Sequence, residues 1–112
     1  MPHPRSFGAS VRVLSRLVRD LGDMPLESAI YKMTGMAANH FRIHDRGVLE
    51  IGKAADVVVF NPATVKDLAT FVKPAQPPAG IDFVFVNGEI VIEGGVQTSA
   101  RPGKVLSANS IR

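Results

Sequence analysis

The sequence predicts an α+β chain in which two to three helices are followed by a small set of strands ending in a C-terminal hairpin. Three observations carry this. From Ala9 to Leu21, residues Val11, Leu14, Leu17, Val18 and Leu21 fall in one stripe, with Arg12, Arg16 and Arg19 nearly opposite, which is the periodicity of an amphipathic helix. Near the other end, Asn87-Gly88 lies between IDFVFV and EIVIEGG and supplies both positive-φ positions of a type I′ turn. Between these, from Gly47 onward, helical spacing gives way to glycine turns and short β-branched runs.

Taken in order, residues 1–8 read as an extended leader, because Pro2 and Pro4 disfavour helix and Gly8 punctuates. The first helix follows over Ala9–Leu21 and stops at Gly22. Pro25 suits a helix start, and Leu26, Ala29, Ile30 and Met33 form a second stripe that Gly35 breaks. Ala37–Phe41 adds one short helical turn. The run Val57–Phe60 does not alternate, so it is expected to be a strand covered on both faces. Pro62–Gly80 reads as a long excursion with at most one turn of helix, and such a loop signals function or a missing neighbour. Pairing outward from Asn87-Gly88 sets Val86 opposite Glu89, Phe85 opposite Ile90, Val84 opposite Val91 and Phe83 opposite Ile92. Phe83, Phe85, Ile90 and Ile92 then share a core face. Gly94-Gly95 ends that strand, and Lys104–Leu106 is expected to be a last short one. Ser107–Arg112 reads as a flexible tail.

At 112 residues the chain has the length of one domain and enough surface to bury a core. Its 46% hydrophobic and 21% charged residues are a globular composition. The absence of cysteine excludes disulfides, thiolate metal sites and cysteine nucleophiles. No apolar run approaches the ~18–20 residues of a membrane span, and the first ten residues contain no signal-peptide core, so a cytoplasmic chain is expected. The net charge of +3 belongs to the first twenty residues, where Arg5, Arg12, Arg16 and Arg19 face only Asp20. From residue 21 onward, nine basic and nine acidic residues balance, so no general surface for nucleic acid or anionic membrane is implied. The arginine stripe has no interleaved aromatics and reads as a solvated outer face.

Side chains able to carry chemistry are sparse. His40 and His44 stand four apart, but the stretch Phe41–Gly47 leads into a turn, so they read as surface or turn histidines rather than a metal pair. No Gly-x-Ser-x-Gly elbow occurs, and Gly94-Gly95 opens no helix as a phosphate cradle would. Asp56, just ahead of a strand, is expected to accept backbone N–H groups in the turn before it. Read from the residues alone, no catalytic or metal-binding set is complete.

Several stretches together resemble one family. DRGVLEIGKAADVVVFN, residues 45–61, resembles the signature that leads amidohydrolase-superfamily enzymes out of their barrel into a small β-sandwich, with Gly47, Leu49 (or Val48, in a slightly different register), Gly52, Ala55, Asp56 and the Val57–Phe60 run in the matching places. LESAIYKMTGMAANHF is similar to the helix and turn before that exit, and FVFVNGEIVIEGG to the closing hairpin. HPRSFG with VRVLSRLVRD, FNPATVKDLATFVKPAQPPAGI and ARPGKVL narrow the resemblance to N-acyl-D-amino-acid deacylases over residues 2–106.

The resemblance implies that residues 1–44 end a TIM-type barrel, that 45–106 are part of a composite β-sandwich, and that 107–112 are a tail. It implies zinc-dependent hydrolysis of an N-acyl-D-amino acid, with the metal ligands and catalytic aspartate upstream, so that this chain carries no catalytic or metal residue of its own. Arg5 alone would lie near the barrel mouth, placed to bind a substrate carboxylate. The implied partner is the remainder of the amidohydrolase polypeptide or a second copy. The alternative is a stand-alone interaction module with a degenerate sandwich fold.

Overall fold

The computed structural model describes residues 1–107, and the tail expected at 107–112 falls outside them but for Ser107. The expected α+β class is observed. Chain contacts divide the molecule into two units, Met1–Ala29 with Phe60–Ile81, and Ile30–Val59 with the chain from Asp82 onward.

In the first unit, helix α1 (Arg5–Arg12) begins earlier than the expected leader allows. Pro4 already has helical dihedrals, and its missing N–H costs nothing in a first turn. Its carbonyl accepts the N–H groups of Phe7 and Gly8 at 3.0 and 3.1 Å. The expected helix then continues directly as a π-helical segment, Val13–Asp20. Ser15 Oγ donates to the Val11 carbonyl at 3.1 Å, the kind of side-chain intrusion that loosens a helical ladder. The wider winding shows at the end, where Leu21 N–H donates to Arg16 O at 2.9 Å. Val11 and Leu14 are buried, and α2 (Leu26–Met33) starts after Pro25 as expected, burying Ala29.

The excursion Pro62–Gly80 is not unsupported. Lys66 and Ala79 exchange both backbone hydrogen bonds, at 3.0 and 2.9 Å, and Asn61 N–H donates to Gly80 O at 3.0 Å. These bonds close the neck of an Ω-loop. Val65 at the neck is fully buried. Gly80 sits at φ +80°, and a Cβ there would lie 2.5 Å from the Val65 backbone, so only glycine lets the two strands of the neck approach. Within the loop, Gln76 Nε2 donates to Leu68 O and Lys73 O, both at 2.8 Å, replacing helix with side-chain bracing.

In the second unit, Gly35 opens a helix rather than only ending one: α3 runs Gly35–His40 and stops before Arg42, which takes φ 57°. The strands β1 (Val57–Phe60), β2 (Ile81–Val86), β3 (Glu89–Glu93) and β4 (Val96–Gln97) form a sheet in the order β1-β2-β3-β4. Asn87 and Gly88 have φ 50° and 81°, as the type I′ hairpin requires. Val86 pairs with Glu89 and Phe85 with Ile90, but a β-bulge then sets Val84 against Ile92 and Phe83 against Glu93. One extra residue therefore moves Ile92 from the expected Phe83 face to that of Val84. Gly94-Gly95 does not end the sheet but turns the chain into β4, with Glu93 opposite Val96. Lys104–Leu106 forms no strand. Val58 and Val59, expected to be covered on both sides, are 52% and 43% exposed, and Leu49 and Ile51 are more so. No helix among the described residues is long and apolar enough to cross a membrane.

Candidate functional site

Arg5 is the first residue of α1, and it is exposed. Its backbone N–H donates to Nδ1 of His3 at 3.1 Å. The His3 ring stands edge-on to Phe71 of the Ω-loop, with centroids 5.2 Å apart and planes at 81°. Among the described residues the Arg5 guanidinium has no hydrogen-bonding or carboxylate partner. Such a fork can grip a carboxylate through two parallel N–H···O bonds.

The expected solvated stripe is only partly solvated. Arg19 Nη1 donates to Pro62 O at 3.1 Å and to Val65 O at 2.6 Å, and Arg12 approaches the Asp67 carboxylate at 3.8 Å. Both tie the helix to the Ω-loop, a role that periodicity on one helix does not reveal. The groove beside Arg19, about 370 Å³ and lined by Leu14, Val18, Leu26, Phe60 and Val65, is almost wholly apolar and offers no acid–base group.

In the second unit, Asp56 does not cap the turn before its strand. It reaches the hairpin turn instead, where its Oδ1 accepts the Asn87 N–H at 2.8 Å while Oδ2 receives Arg46 Nη1. Arg46 Nη2 donates to Asn87 Oδ1 at 2.7 Å, and Asn87 Nδ2 donates to Pro102 O at 2.9 Å. Burial opposes ionisation of Asp56, but the Asn87 N–H and the hydrogen bond and charge of Arg46 outweigh it and hold the carboxyl below the usual aspartate range. Arg46 was not singled out from the sequence, although its place in the signature run next to Gly47 was a usable signal. This network fastens the signature loop to the hairpin and leaves no reactive group free.

His40 and His44 do not share a helical face: His40 ends α3, the positive φ of Arg42 turns the chain, and the His44 carbonyl accepts Lys53 Nζ at 2.7 Å. No group of three or more His, Asp or Glu side chains among the described residues is arranged to hold a metal ion.

Comparison with known proteins supports the resemblance read from residues 2–106. The amidohydrolase family model matches residues 1–92. D-aminoacylase of Alcaligenes xylosoxydans xylosoxydans is 49% identical over 106 residues, which are 95% of this chain and 22% of that protein. The chain thus spans about a fifth of the length of the curated relatives it matches. A solved D-aminoacylase variant in complex with copper chloride superposes with a TM-score of 0.90 at 50% identity, over 94% of this chain and 22% of that one. The N-acyl-D-glutamate deacylase of Bordetella bronchiseptica, solved with zinc and a phosphonate mimic of the tetrahedral intermediate, superposes with a TM-score of 0.79 at 49% identity, over 80% of this chain and 19% of that one. With sequence, family model and fold in agreement, the chain belongs to the amidohydrolase family and within it is similar to the D-aminoacylases.

Proposed function

We propose that this chain works as part of a metal-dependent N-acyl-D-amino-acid deacylase, which hydrolyses the amide of an N-acyl-D-amino acid to a carboxylate and a free D-amino acid. The observation that carries this reading is the match to a D-aminoacylase fold at TM-score 0.90 and 50% identity over 94% of the chain. In this reading the helices close a catalytic barrel, and the sheet is one part of a composite sandwich. The exposed Val58, Val59, Leu49 and Ile51 then meet the remainder of the amidohydrolase polypeptide, which would remove their apolar surface from water.

Residues 1–107 do not fit a metal centre, so the zinc that such an enzyme uses is held by other residues. Held there, the metal would supply polarisation of the amide carbonyl and activation of water. The contribution of this chain to the site is Arg5, whose unpaired guanidinium receives the substrate's carboxylate and orients it.

A chimera tests this reading: the matching fifth of a D-aminoacylase is replaced by this chain, and release of D-amino acid from N-acetyl-D-amino acids is assayed with zinc. The chimera is expected to turn over, and the chain by itself to release nothing. A folded, zinc-loaded chimera without turnover would overturn the proposal and favour the stand-alone interaction module, for which the exposed Val58–Val59 strand would be the docking edge.

A further inference from the structure

Phe71 is 74% exposed and contributes nothing to a core, yet it is held in place. Thr70 N–H donates to Lys73 O at 3.1 Å, and Lys73 N–H donates to Thr70 Oγ1 at 2.9 Å, which closes a tight tip at the end of the Ω-loop. An ordered tip that presents an apolar ring to solvent has a local purpose, and here the ring meets His3 edge to face, with centroids 5.2 Å apart. His3 lies between Pro2 and Pro4, so its backbone has little freedom and its ring direction is decided by what it packs against. Its Nδ1 accepts the Arg5 N–H at 3.1 Å, satisfying one of the orphan donors at the start of α1, while Pro4 at the cap position offers no side-chain acceptor.

We infer that Phe71 is a positioning residue for Arg5, acting through the ring of His3. The inference rests on the reading of Arg5 as the partner of the substrate carboxylate. The Arg5 side chain has several rotatable bonds, and the backbone N–H beside the carbon from which it springs is held by the His3 ring. Without Phe71 the ring loses its stop, the first turn of α1 loosens, and the guanidinium is spread over more positions. Substrate then binds less well, while the bond-breaking step, performed elsewhere, proceeds as before.

The test is steady-state kinetics on the complete deacylase carrying these residues, with an N-acetyl-D-amino acid as substrate. Phe71→Ala is expected to raise KM about three- to tenfold with kcat within about twofold of the parent. His3→Ala should do the same, and Phe71→Tyr should behave as the parent because it keeps the ring edge. Arg5→Ala should raise KM further, and the Arg5→Ala, Phe71→Ala double variant should be no worse than Arg5→Ala alone. If Phe71→Ala leaves KM unchanged while Arg5→Ala raises it, or if the two effects add in full, the positioning role falls and the carboxylate role of Arg5 stands. An unchanged KM in Arg5→Ala would overturn the reading of Arg5 itself, and the role of Phe71 with it.

Discussion

Each unit of the molecule is tied together by an arginine that reaches more than forty residues along the chain, yet the two arginines grip different things. Arg19, in the first unit, donates to the backbone carbonyls of Pro62 and Val65 at the neck of the Ω-loop and shares Asp20 alongside. Arg46, in the second, grips two side chains, the Asp56 carboxylate and the Asn87 amide, and these are joined to each other through the Asn87 N–H. The Arg46 side chain is 17% exposed against 31% for Arg19, and its Nε is buried without a partner. A clamp on carbonyls asks only that the loop present its backbone, so its partners can be almost any residue. A clamp on a carboxylate and an amide demands particular residues, and removing its cation takes a charged donor from both.

That difference orders the expected effects of mutation. Arg46→Met should cost the second unit about 2–3 kcal/mol, since both Asp56 and Asn87 lose a charged donor; urea unfolding of the complete protein measures it. A loss no larger than that of a surface substitution would show that the network is ornamental. Arg19→Met should cost less, about 1–2 kcal/mol, because its acceptors carry no charge and the exposed Pro62 carbonyl regains water once the guanidinium leaves. Limited proteolysis should nick the Ω-loop faster in this variant, and an unchanged cleavage rate would break the comparison from its other side. The smallest effect separates the clamps by pH. The carboxyl of Asp56 titrates lower in the folded state than the ~3.9 of a free aspartate, so its contribution is complete above about pH 4. It is lost as the pH falls through the lowered folded value, because the unfolded chain binds the proton more readily. Asp56→Asn should therefore lower stability at neutral pH and flatten its decline below about pH 4. An equally steep decline in the variant would assign the acid sensitivity to other carboxylates.

The legible parts of the chain were those whose chemistry is local. The amphipathic spacing of Val11, Leu14 and Val18 marked the first helix, and Asn87-Gly88 marked the hairpin turn with its first two pairs in register. The β-bulge beyond Phe85 was hidden because Ile90, Val91 and Ile92 are apolar in a row, so no break in alternation marks it, and only the paired strand shows where a residue is left over. β4 was overlooked although Gly94-Gly95 carries a turn signal, since two residues are too few to show a period. In the candidate site, the family resemblance carried by HPRSFG drew attention to Arg5, whereas Phe71 lies sixty-odd residues away and nothing in the local pattern joins it to His3.

By itself, the sequence determined the class of fold and the family. Periodicity, turn chemistry and signature runs are properties of neighbouring residues. Tertiary structure alone decided that Asp56 turns to the hairpin instead of the preceding turn, that Arg12 and Arg19 brace the Ω-loop, and that Phe71 stands against His3. These are choices among acceptors of nearly equal intrinsic strength, and a polar side chain takes whichever one the folded backbone brings within about 3 Å.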